Sequence, residues 1–205
     1  MLDCYIFTPR IQFGANCYVL SSGGEYAVID PSVSYDDVIQ TLPDISGKVK
    51  YIILTHSHFD HTLELENWMQ NTTLEPSMSE NAYVNIGDSL KNCYWQFFRI
   101  DKAYTGKYTR LQDCDVLTLG EDKIHVIETP GHTNGSICLI TADRIFAGDT
   151  IFEGGSYGRY DLPGGNASEL SSSIKKLLSY GDDMIILSGH GAATTVKEAK
   201  NYRYL

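Results

Sequence analysis

The sequence predicts an α/β protein in which two β-sheets pack face to face and helices cover both outer faces, a four-layer αββα sandwich. Two observations lead to this fold class. Short apolar runs typical of strands and segments with helical periodicity form two successive series, and no long linker separates them. The chain has 205 residues, of which 42% are hydrophobic, which suits a single domain over residues 1–205 with one sizeable core.

The first series of elements begins with a hairpin. Two runs rich in β-forming residues flank Ser21–Gly24, a turn-forming stretch. A short helix is predicted over Asp36–Leu42, because Pro43 cannot continue it. The apolar run Tyr51–Leu54 predicts a buried strand, and the apolar spacing that follows His61 predicts a helix.

The remaining chain repeats this alternation, with aromatic-rich helices at its start and a glycine-rich loop in its second half. The predicted elements are one or two helices between about residues 80 and 98, a loop followed by a strand over 106–115, strands at Lys123–Glu128, Ser136–Thr141, Arg144–Ala147 and Met184–Leu187, a loop over Gly154–Gly165, and helices over Ala167–Tyr180 and Thr195–Tyr202. Each half of the chain thus supplies a sheet and its covering helices.

Charge and cysteine content restrict the possible partners and the compartment. The net charge is −10, which disfavours nucleic-acid binding through bulk charge. Five dispersed cysteines without a CxxC pair argue against a disulfide framework and fit a reducing cytoplasm. The first residues carry no basic region followed by an apolar run, and no apolar run is long enough to span a bilayer. We therefore expect a cytoplasmic protein with neither nucleic-acid nor membrane partners.

Histidine is scarce in this chain, and five of its six histidines fall into three clusters that each follow a predicted strand closely. The clusters are Thr55–His61, Gly131–Thr133 and Gly189–Gly191, and Asp149 directly follows another strand. Ligands at strand ends converge on one edge of a packed sandwich and are held rigidly there. The seven candidate metal ligands are His56, His58, Asp60, His61, His132, Asp149 and His190. The sixth histidine, His125, lies alone in a strand and is expected to have no role in the site.

The spacing within the first cluster predicts two ions. Side chains at positions 56 and 58 of an extended segment point the same way and can hold one ion. Asp60 and His61 follow where the chain turns, so they can serve a second ion, although Asp60 alone could also be a helix N-cap. One zinc needs three or four ligands, whereas seven suit two ions about 3.5–4 Å apart. Imidazole and carboxylate ligands favour zinc, with iron or manganese as alternatives. Such a site is locally positive and favours a small anionic or carbonyl-bearing substrate.

These motifs resemble those of the metallo-β-lactamase superfamily, and Val28–Pro31 resembles its early aspartate motif. The resemblance runs from about residue 12 to residue 200. It implies the metallo-β-lactamase fold with a dinuclear site. The implied ligands are His56, His58 and His132 for one metal, Asp60, His61 and His190 for the other, and Asp149 as a bridge between them.

Within that superfamily, the chain is similar to the short hydroxyacylglutathione hydrolases, which are glyoxalase II-like proteins. The similarity lies in the loop Gly155–Gly165 and in the last histidine motif. It implies hydrolysis of an anionic thioester by a hydroxide that bridges the metals, oriented by Asp60, with Arg159 and Tyr160 as substrate-binding residues. True β-lactamases of this fold carry cysteine or another residue in place of Asp149, which disfavours β-lactam hydrolysis.

Several positions depart from the glyoxalase II pattern and leave the thiol carrier open. The chain ends at Leu205 without the C-terminal helical region that holds glutathione. Arg159-Tyr160-Asp161 replaces a Lys-aromatic-Tyr sequence, and Asp161 is a candidate anchor for Arg159. Asn134 stands where proline is common, and Leu63–Glu66 replace a glycine-rich turn. None of these changes removes a metal ligand.

Three other functions share parts of this pattern. A persulfide dioxygenase has a similar Gly-Arg-x-Asp loop and uses a single iron, but usually lacks the Gly-His-Gly motif at its last histidine. A lactonase, phosphodiesterase or RNA-processing nuclease shares the ligand set, and the net charge of −10 counts against the nuclease. A metal-binding module without activity fits seven intact ligands poorly.

Overall fold

The computed structural model describes residues 2–205, so Met1 of the predicted domain lies outside the described residues. The strands are β1 Asp3–Phe7, β2 Cys17–Ser22, β3 Glu25–Ile29, β4 Val49–Ile53, β5 Pro76–Ser79, β6 Thr109–Leu111, β7 Val116–Leu119, β8 Asp122–Glu128, β9 Ile137–Ile140, β10 Arg144–Gly148, β11 Ile185–Ser188 and β12 Thr194–Thr195. The helices are α1 Tyr35–Thr41, α2 Leu65–Thr72, α3 Glu80–Ile86, α4 Tyr94–Phe98, α5 Ala167–Leu178 and α6 Val196–Ala199. Short 3₁₀ turns occur at Pro43–Ile45, Phe59–His61 and Glu153–Gly155.

The first sheet contains β1 to β6 in sequence order and has mixed strand directions. The first three strands are antiparallel neighbours, and β3, β4, β5 and β6 then run parallel. Ile29 at the end of β3 pairs with Ile53 at the end of β4. Parallel strands end at the same edge of a sheet, so the residues that follow β3 and β4 emerge side by side.

The second sheet has the order β12-β11-β10-β9-β8-β7, so it is built from the second half of the chain. Only β10 and β11 are parallel in it, and the other neighbours are antiparallel. Phe146 pairs with Leu187, and Gly148 pairs with Ser188. The segments after β10 and β11 therefore also leave the sheet together.

Three apolar clusters define the four layers of the sandwich. The central cluster joins the inner faces of both sheets and includes Leu20, Ile53 and Phe146. A second cluster packs the outer face of the first sheet against α1, α2 and α3, with Trp68 fully buried in it. A third packs the second sheet against α5 and α6, with Leu170 fully buried in it. The predicted four-layer αββα sandwich is confirmed.

Local sequence explains the boundaries of several elements. Gly23 and Gly24 connect β2 and β3 at positive φ, the conformation that tight hairpin turns require and glycine adopts readily. Ser34 caps α1 by accepting a hydrogen bond from the Asp37 N–H. Asn166 caps α5, which is amphipathic and buries one face.

Four strands lie outside the sequence-based predictions, and the last helix is shorter than expected. Strands β1, β5, β7 and β12 are short, and β5 is the sequence Pro-Ser-Met-Ser, which has weak intrinsic strand preference. β5 is a strand because it pairs with β4 on one side and β6 on the other. The helix predicted over Thr195–Tyr202 is confined to α6, because Thr194 and Thr195 instead pair with β11.

Among residues 2–205, every helix is too short or too polar to cross a lipid bilayer.

Candidate metal centre

The ends of four strands bring the seven candidate ligands together. The His56–His61 segment follows β4, His132 follows β8, Asp149 follows β10 and His190 follows β11. Their potential ligand atoms form two groups, and within each group these atoms lie within 4.8 Å of one another. The first group is His56, His58 and His132, and the second is Asp60, His61, Asp149 and His190.

In the first group, three imidazole nitrogens point toward one another. His132 Nε2 lies 3.2 Å from His56 Nε2 and 2.9 Å from His58 Nδ1. His132 Nδ1 donates to the Arg159 carbonyl at 2.7 Å, which assigns the lone pair of this ring to Nε2. The Thr55 hydroxyl donates its hydrogen to Asp30, so it accepts from His56 Nδ1 at 3.2 Å, which leaves Nε2 of His56 as the free lone pair. Converging lone pairs repel each other unless a cation lies between them.

In the second group, imidazoles alternate with carboxylates. His190 Nε2 lies 3.0 Å from Asp60 Oδ2, and His61 Nε2 lies 3.2 Å from Asp149 Oδ1. The other oxygen of Asp149 is 3.6 Å from both His132 Nε2 and His190 Nε2. Asp149 therefore lies between the two groups, where a bridging ligand would be required.

Burial keeps the histidines of the first group neutral. It lowers the pKa of His56 well below its ordinary value, lowers that of His58 to about 3, and also lowers that of His132. Neutral imidazole is the form that binds metal, so these side chains need not lose a proton at neutral pH to do so.

The second group has the opposite electrostatics. Burial alone would lower the pKa of His61, but the carboxylates of Asp30, Asp149 and Asp60 outweigh it and raise that pKa well above its ordinary value. Burial also tends to lower the pKa of His190, but the hydrogen bond to Asp60 and the charge of Asp149 outweigh it, so this pKa is raised. A divalent cation placed here would take over the charge that these protons supply.

The residues fit divalent metal ions in their donor chemistry and in their unpaired atoms. His61 Nε2 and Asp149 Oδ1 are buried without a hydrogen-bond partner, as expected of atoms whose partner is an ion. Imidazole nitrogen and carboxylate oxygen suit zinc, iron and manganese. Two separate groups of three and four ligands indicate a dinuclear site rather than one ion.

Asp30 organises the centre without belonging to either group. His61 Nδ1 donates to Asp30 Oδ2 at 2.8 Å, so the Nε2 of His61 is directed to the centre. The Thr55 N–H and hydroxyl donate to the two oxygens of the same carboxylate, each at 2.7 Å. Asp30 adopts φ 52°, which is uncommon outside glycine. The sequence offers a signal for this role, because Asp30 directly follows a strand next to β4.

A second support comes from Asn16, directly before β2, and from Tyr18 within it, and was not predicted from sequence. The Asn16 side-chain amide donates to the Ser188 and Gly191 carbonyls at 3.0 and 3.1 Å. The Tyr18 hydroxyl donates to the Ser188 carbonyl at 2.6 Å. These bonds join the first sheet to the loop that carries His190. Nothing in the local sequence distinguishes Asn16 from an ordinary loop residue or Tyr18 from an ordinary strand residue.

The two ligand groups meet a cavity of about 360 Å³. The lining residues are Phe13, His58, Phe59, Asp60, Cys93, Phe97, His132, Asp149, Phe152, Gly158, Arg159, Leu162 and His190. One side of this cavity, which we call its floor, is therefore made of candidate metal ligands, and its walls are largely apolar.

The predicted substrate-binding residues occupy different positions. Arg159 lines the cavity and forms a bidentate ion pair with Asp161, with both N···O distances at 2.7 Å. Tyr160 is 39% exposed and lies outside the residues that line the cavity. Their roles in binding substrate stay predictions. His125 is exposed on β8, away from both ligand groups.

Comparison with known proteins gives a consistent family match. The sequence model described as metallo-beta-lactamase superfamily matches residues 10–190. The protein described as hydroxyacylglutathione hydrolase GloC, from Haemophilus influenzae, is 32% identical over 198 residues, which covers 94% of this chain and 92% of that protein.

Two solved structures are similar over nearly the whole chain. The B3 metallo-beta-lactamase BLEG-1 superimposes with a TM-score of 0.86 at 28% identity, covering 98% of this chain and 97% of that one. TTHA1623, solved in a di-iron-bound form, has a TM-score of 0.79 at 26% identity and covers 96% of both chains.

Proposed function

The chain belongs to the metallo-β-lactamase superfamily, whose members are typically metal-dependent hydrolases, and we propose that the bond it cleaves is a thioester. The observation that carries this proposal is the cavity, in which a floor of metal ligands meets apolar walls and a single arginine. A thioester places a carbonyl at such a floor, an acyl group along the wall and an anionic thiol carrier near the arginine. The similarity to the hydroxyacylglutathione hydrolase GloC supports the same assignment.

The seven ligands would divide between two ions. His56, His58 and His132 would hold one, and Asp60, His61 and His190 the other, with Asp149 between them. When bound, the two ions lower the pKa of water toward neutrality, supply a hydroxide nucleophile and polarise the substrate carbonyl. We propose zinc in both positions, with iron or manganese as alternatives, since the similar TTHA1623 was solved with two irons.

Asp60 is the protein group best placed to orient the attacking water. It lines the cavity, and its Oδ2 accepts a hydrogen bond from His190 Nε2 at 3.0 Å. In the metal-free protein, burial would raise the pKa of this carboxylate, but His61 and the hydrogen bond from His190 lower it. With the second ion bound, the positive charge of the ion would keep the carboxylate ionised in place of these protons. An ionised carboxylate can accept a hydrogen bond from the water and direct its lone pair toward the carbonyl.

Arg159 is the group on the cavity wall that suits an anionic carrier. Asp161 holds its guanidinium in one orientation through two hydrogen bonds. Three further N–H bonds of the guanidinium stay available, and their geometry suits a carboxylate. Tyr160, exposed beside it, would contact the carrier rather than the acyl group.

Alternative activities at the same site differ from thioester hydrolysis in the metal content or the substrate that they require. A persulfide dioxygenase would bind one iron, whereas here both ligand groups are complete. Lactones, phosphodiesters and β-lactams could be attacked at the same floor, and the similarity to BLEG-1 makes a β-lactam a necessary comparison. A cytoplasmic location, expected from the dispersed cysteines, remains part of the proposal.

The experiment measures metal content and turnover on the same purified protein. We expect about two ions per chain and release of thiol from S-lactoylglutathione, with kcat/KM at least tenfold above that for a lactone, a phosphodiester and a β-lactam. His58→Ala, which removes a ligand, should lower thioester turnover by about 10³-fold or more. His125→Ala is the matched control and should keep wild-type turnover.

Two results would contradict the proposal. One is thioester turnover that survives in His58→Ala or after metal removal by a chelator. The other is a single iron per chain with oxygen uptake on glutathione persulfide, which would assign the dioxygenase activity instead.

A further inference from the structure

The walls of the metal-centre cavity lack the polar side chains expected in an enzyme that recognises a hydroxyacyl group. Apart from the metal ligands, Arg159, Cys93 and Gly158, the walls consist of five apolar side chains. These are Phe13, Phe59, Phe97, Phe152 and Leu162, which we call the apolar wall. Of the described residues lining the cavity, none is Ser, Thr, Asn, Gln, Tyr or Trp, so apart from the candidate metal ligands only the weakly hydrogen-bonding Cys93 thiol is a neutral group that could recognise a hydroxyl.

The apolar wall is fixed to the metal centre on one side through α4. Phe59 lies in the turn between the ligands His58 and Asp60 and is only 4% exposed. Its ring centroid lies 5.1 Å from that of Phe97 and 5.0 Å from that of Phe98. These aromatic contacts hold α4 against the ligand turn, so Phe97 keeps a defined position at the cavity.

The loop before β2, which carries Phe13, is also anchored to the metal-centre segments. The Ala15 N–H donates to the Asp60 carbonyl at 3.2 Å, and the Asn16 N–H donates to the Gly189 carbonyl at 2.6 Å. Phe13, just before these anchored residues, adopts φ 73°, which a phenylalanine rarely does. Such a conformation persists where the surrounding structure fixes it, often at ligand-binding sites.

Two members of the wall remain open to solvent although they are large and apolar. Phe13 is 62% exposed and Phe97 is 48% exposed, and both line the cavity. Phe152, another member of the wall, packs near His190 with ring centroids 6.0 Å apart. An apolar group that entered the cavity would therefore cover aromatic surface from the mouth to the metal ligands.

From this geometry we infer that the acyl group of the substrate is apolar, a medium-length aliphatic or an aryl-alkyl chain rather than a short hydroxyacyl group. The inference rests on the proposed thioester hydrolysis and specifies its substrate class. The carbonyl lies at the floor, the chain covers the apolar wall, and Arg159 contacts the carrier. Each methylene buried there should raise kcat/KM about fourfold.

The test uses thioesters that share one thiol, so that only the acyl group changes. Lactoyl, propanoyl, hexanoyl and phenylacetyl thioesters of glutathione are compared, each kcat/KM being divided by the rate constant for alkaline hydrolysis of the same compound. We expect the hexanoyl and phenylacetyl thioesters to exceed the propanoyl thioester at least tenfold. The propanoyl thioester should equal or exceed its hydroxylated counterpart, the lactoyl thioester.

Substitutions test whether the preference for longer acyl groups arises from contacts with the apolar wall. Phe97→Ala and Phe13→Ala should each lower kcat/KM for the hexanoyl thioester about tenfold and change that for the propanoyl thioester less than twofold. Trp95→Ala, which removes an exposed aromatic ring from the same helix but not from the cavity lining, is the matched control and should change neither. Equal losses on both substrates in Phe97→Ala would overturn the inference.

A binding measurement separates this inference from the proposed function. The non-cleavable thioethers S-hexylglutathione and S-methylglutathione are titrated into metal-loaded protein by calorimetry, and the hexyl compound should bind at least tenfold more tightly. Phe97→Ala should largely remove that difference. Equal binding of both thioethers overturns the apolar subsite even if thioesters are cleaved. Selective hexyl binding without cleavage of any thioester supports the subsite and overturns thioester hydrolysis.

Discussion

Individual residues outside the candidate ligand set would control the chemistry of the proposed metal centre. Asp30 is fully buried, accepts the Nδ1–H of His61, and is itself held by the Thr55 N–H and hydroxyl. The carboxylate thereby selects the tautomer of His61 and increases the basicity of the nitrogen that faces the centre. Its negative charge is also one of the causes of the raised pKa of His61.

Asp30→Asn should weaken binding of the second ion about 10- to 100-fold, because the amide lacks the charge and can present a donor to the donating Nδ1 of His61. The first ion, held by three other histidines, should bind as in the wild type. Titration against a competing chelator measures both affinities. Asp183→Asn, an exposed carboxylate in the turn before β11, is the matched control. Equal weakening of both ions would show that Asp30 acts on the fold as a whole.

At the scale of secondary-structure elements, the centre depends on how strands end. Strands β3 and β4 end together in one sheet, and β10 and β11 end together in the other. The loop after β11 must then pass close to the ligands from other strands. Gly189 lies so near that an added Cβ would be 2.2 Å from Asp149 Oδ1 and 2.5 Å from His61 Cε1. Only glycine allows that approach.

Gly189→Ala should lower kcat/KM about 100-fold and reduce the metal content from about two ions to about one, since Asp149 and His61 must both move to admit the methyl group. Metal analysis and steady-state kinetics measure the two effects. Gly181→Ala lies at the other end of β11, where an added Cβ meets nothing within 4 Å, and should leave both quantities unchanged. Normal metal content in Gly189→Ala would refute this account of the loop.

At the scale of the whole molecule, protons and metal ions compete for the same stabilising role. In the metal-free protein, carboxylates raise the pKa of His61 and of His190, so protons on these residues stabilise the fold at neutral pH. A raised folded-state pKa gives stability that is complete below the unfolded pKa, about 6.5, and is lost as the pH rises through the folded value. Bound ions displace these protons, so binding becomes more favourable over the same range.

The difference in Tm between metal-loaded and chelator-treated protein should therefore increase from pH 7 to pH 9. The histidines of the first group do not affect the Tm difference over this pH range. These residues, His56, His58 and His132, are largely neutral above about pH 7 in the folded chain, where their pKa values are lowered, and in the unfolded chain, where the pKa is about 6.5. Thermal unfolding at constant ionic strength measures the difference. A Tm difference that is constant or decreases over this range would contradict the assigned charges of the second ligand group.

Much of the fold, and the residues that meet in the two candidate ligand groups, could be predicted from the sequence because both depend on local patterns. Apolar runs, helical spacing and turn residues indicate the elements, and histidine clusters placed directly after strands indicate where ligands meet. The strands with weak patterns were missed, as β5 shows. Its sequence favours no strand, and its conformation follows from pairing with β4 and β6.

The sequence by itself led to the expectation of two ions and of seven candidate ligands, because histidines and aspartates follow predicted strands and four of them fall within positions 56–61. The surroundings of those ligands were decided only in the folded chain. The sequence signals Asp30, but only the fold shows its hydrogen bond to His61. Asn16 and the apolar wall come from segments far apart in sequence, and they meet because two sheets place their strand ends at one edge. Such contacts depend on distance in space, which no local pattern encodes.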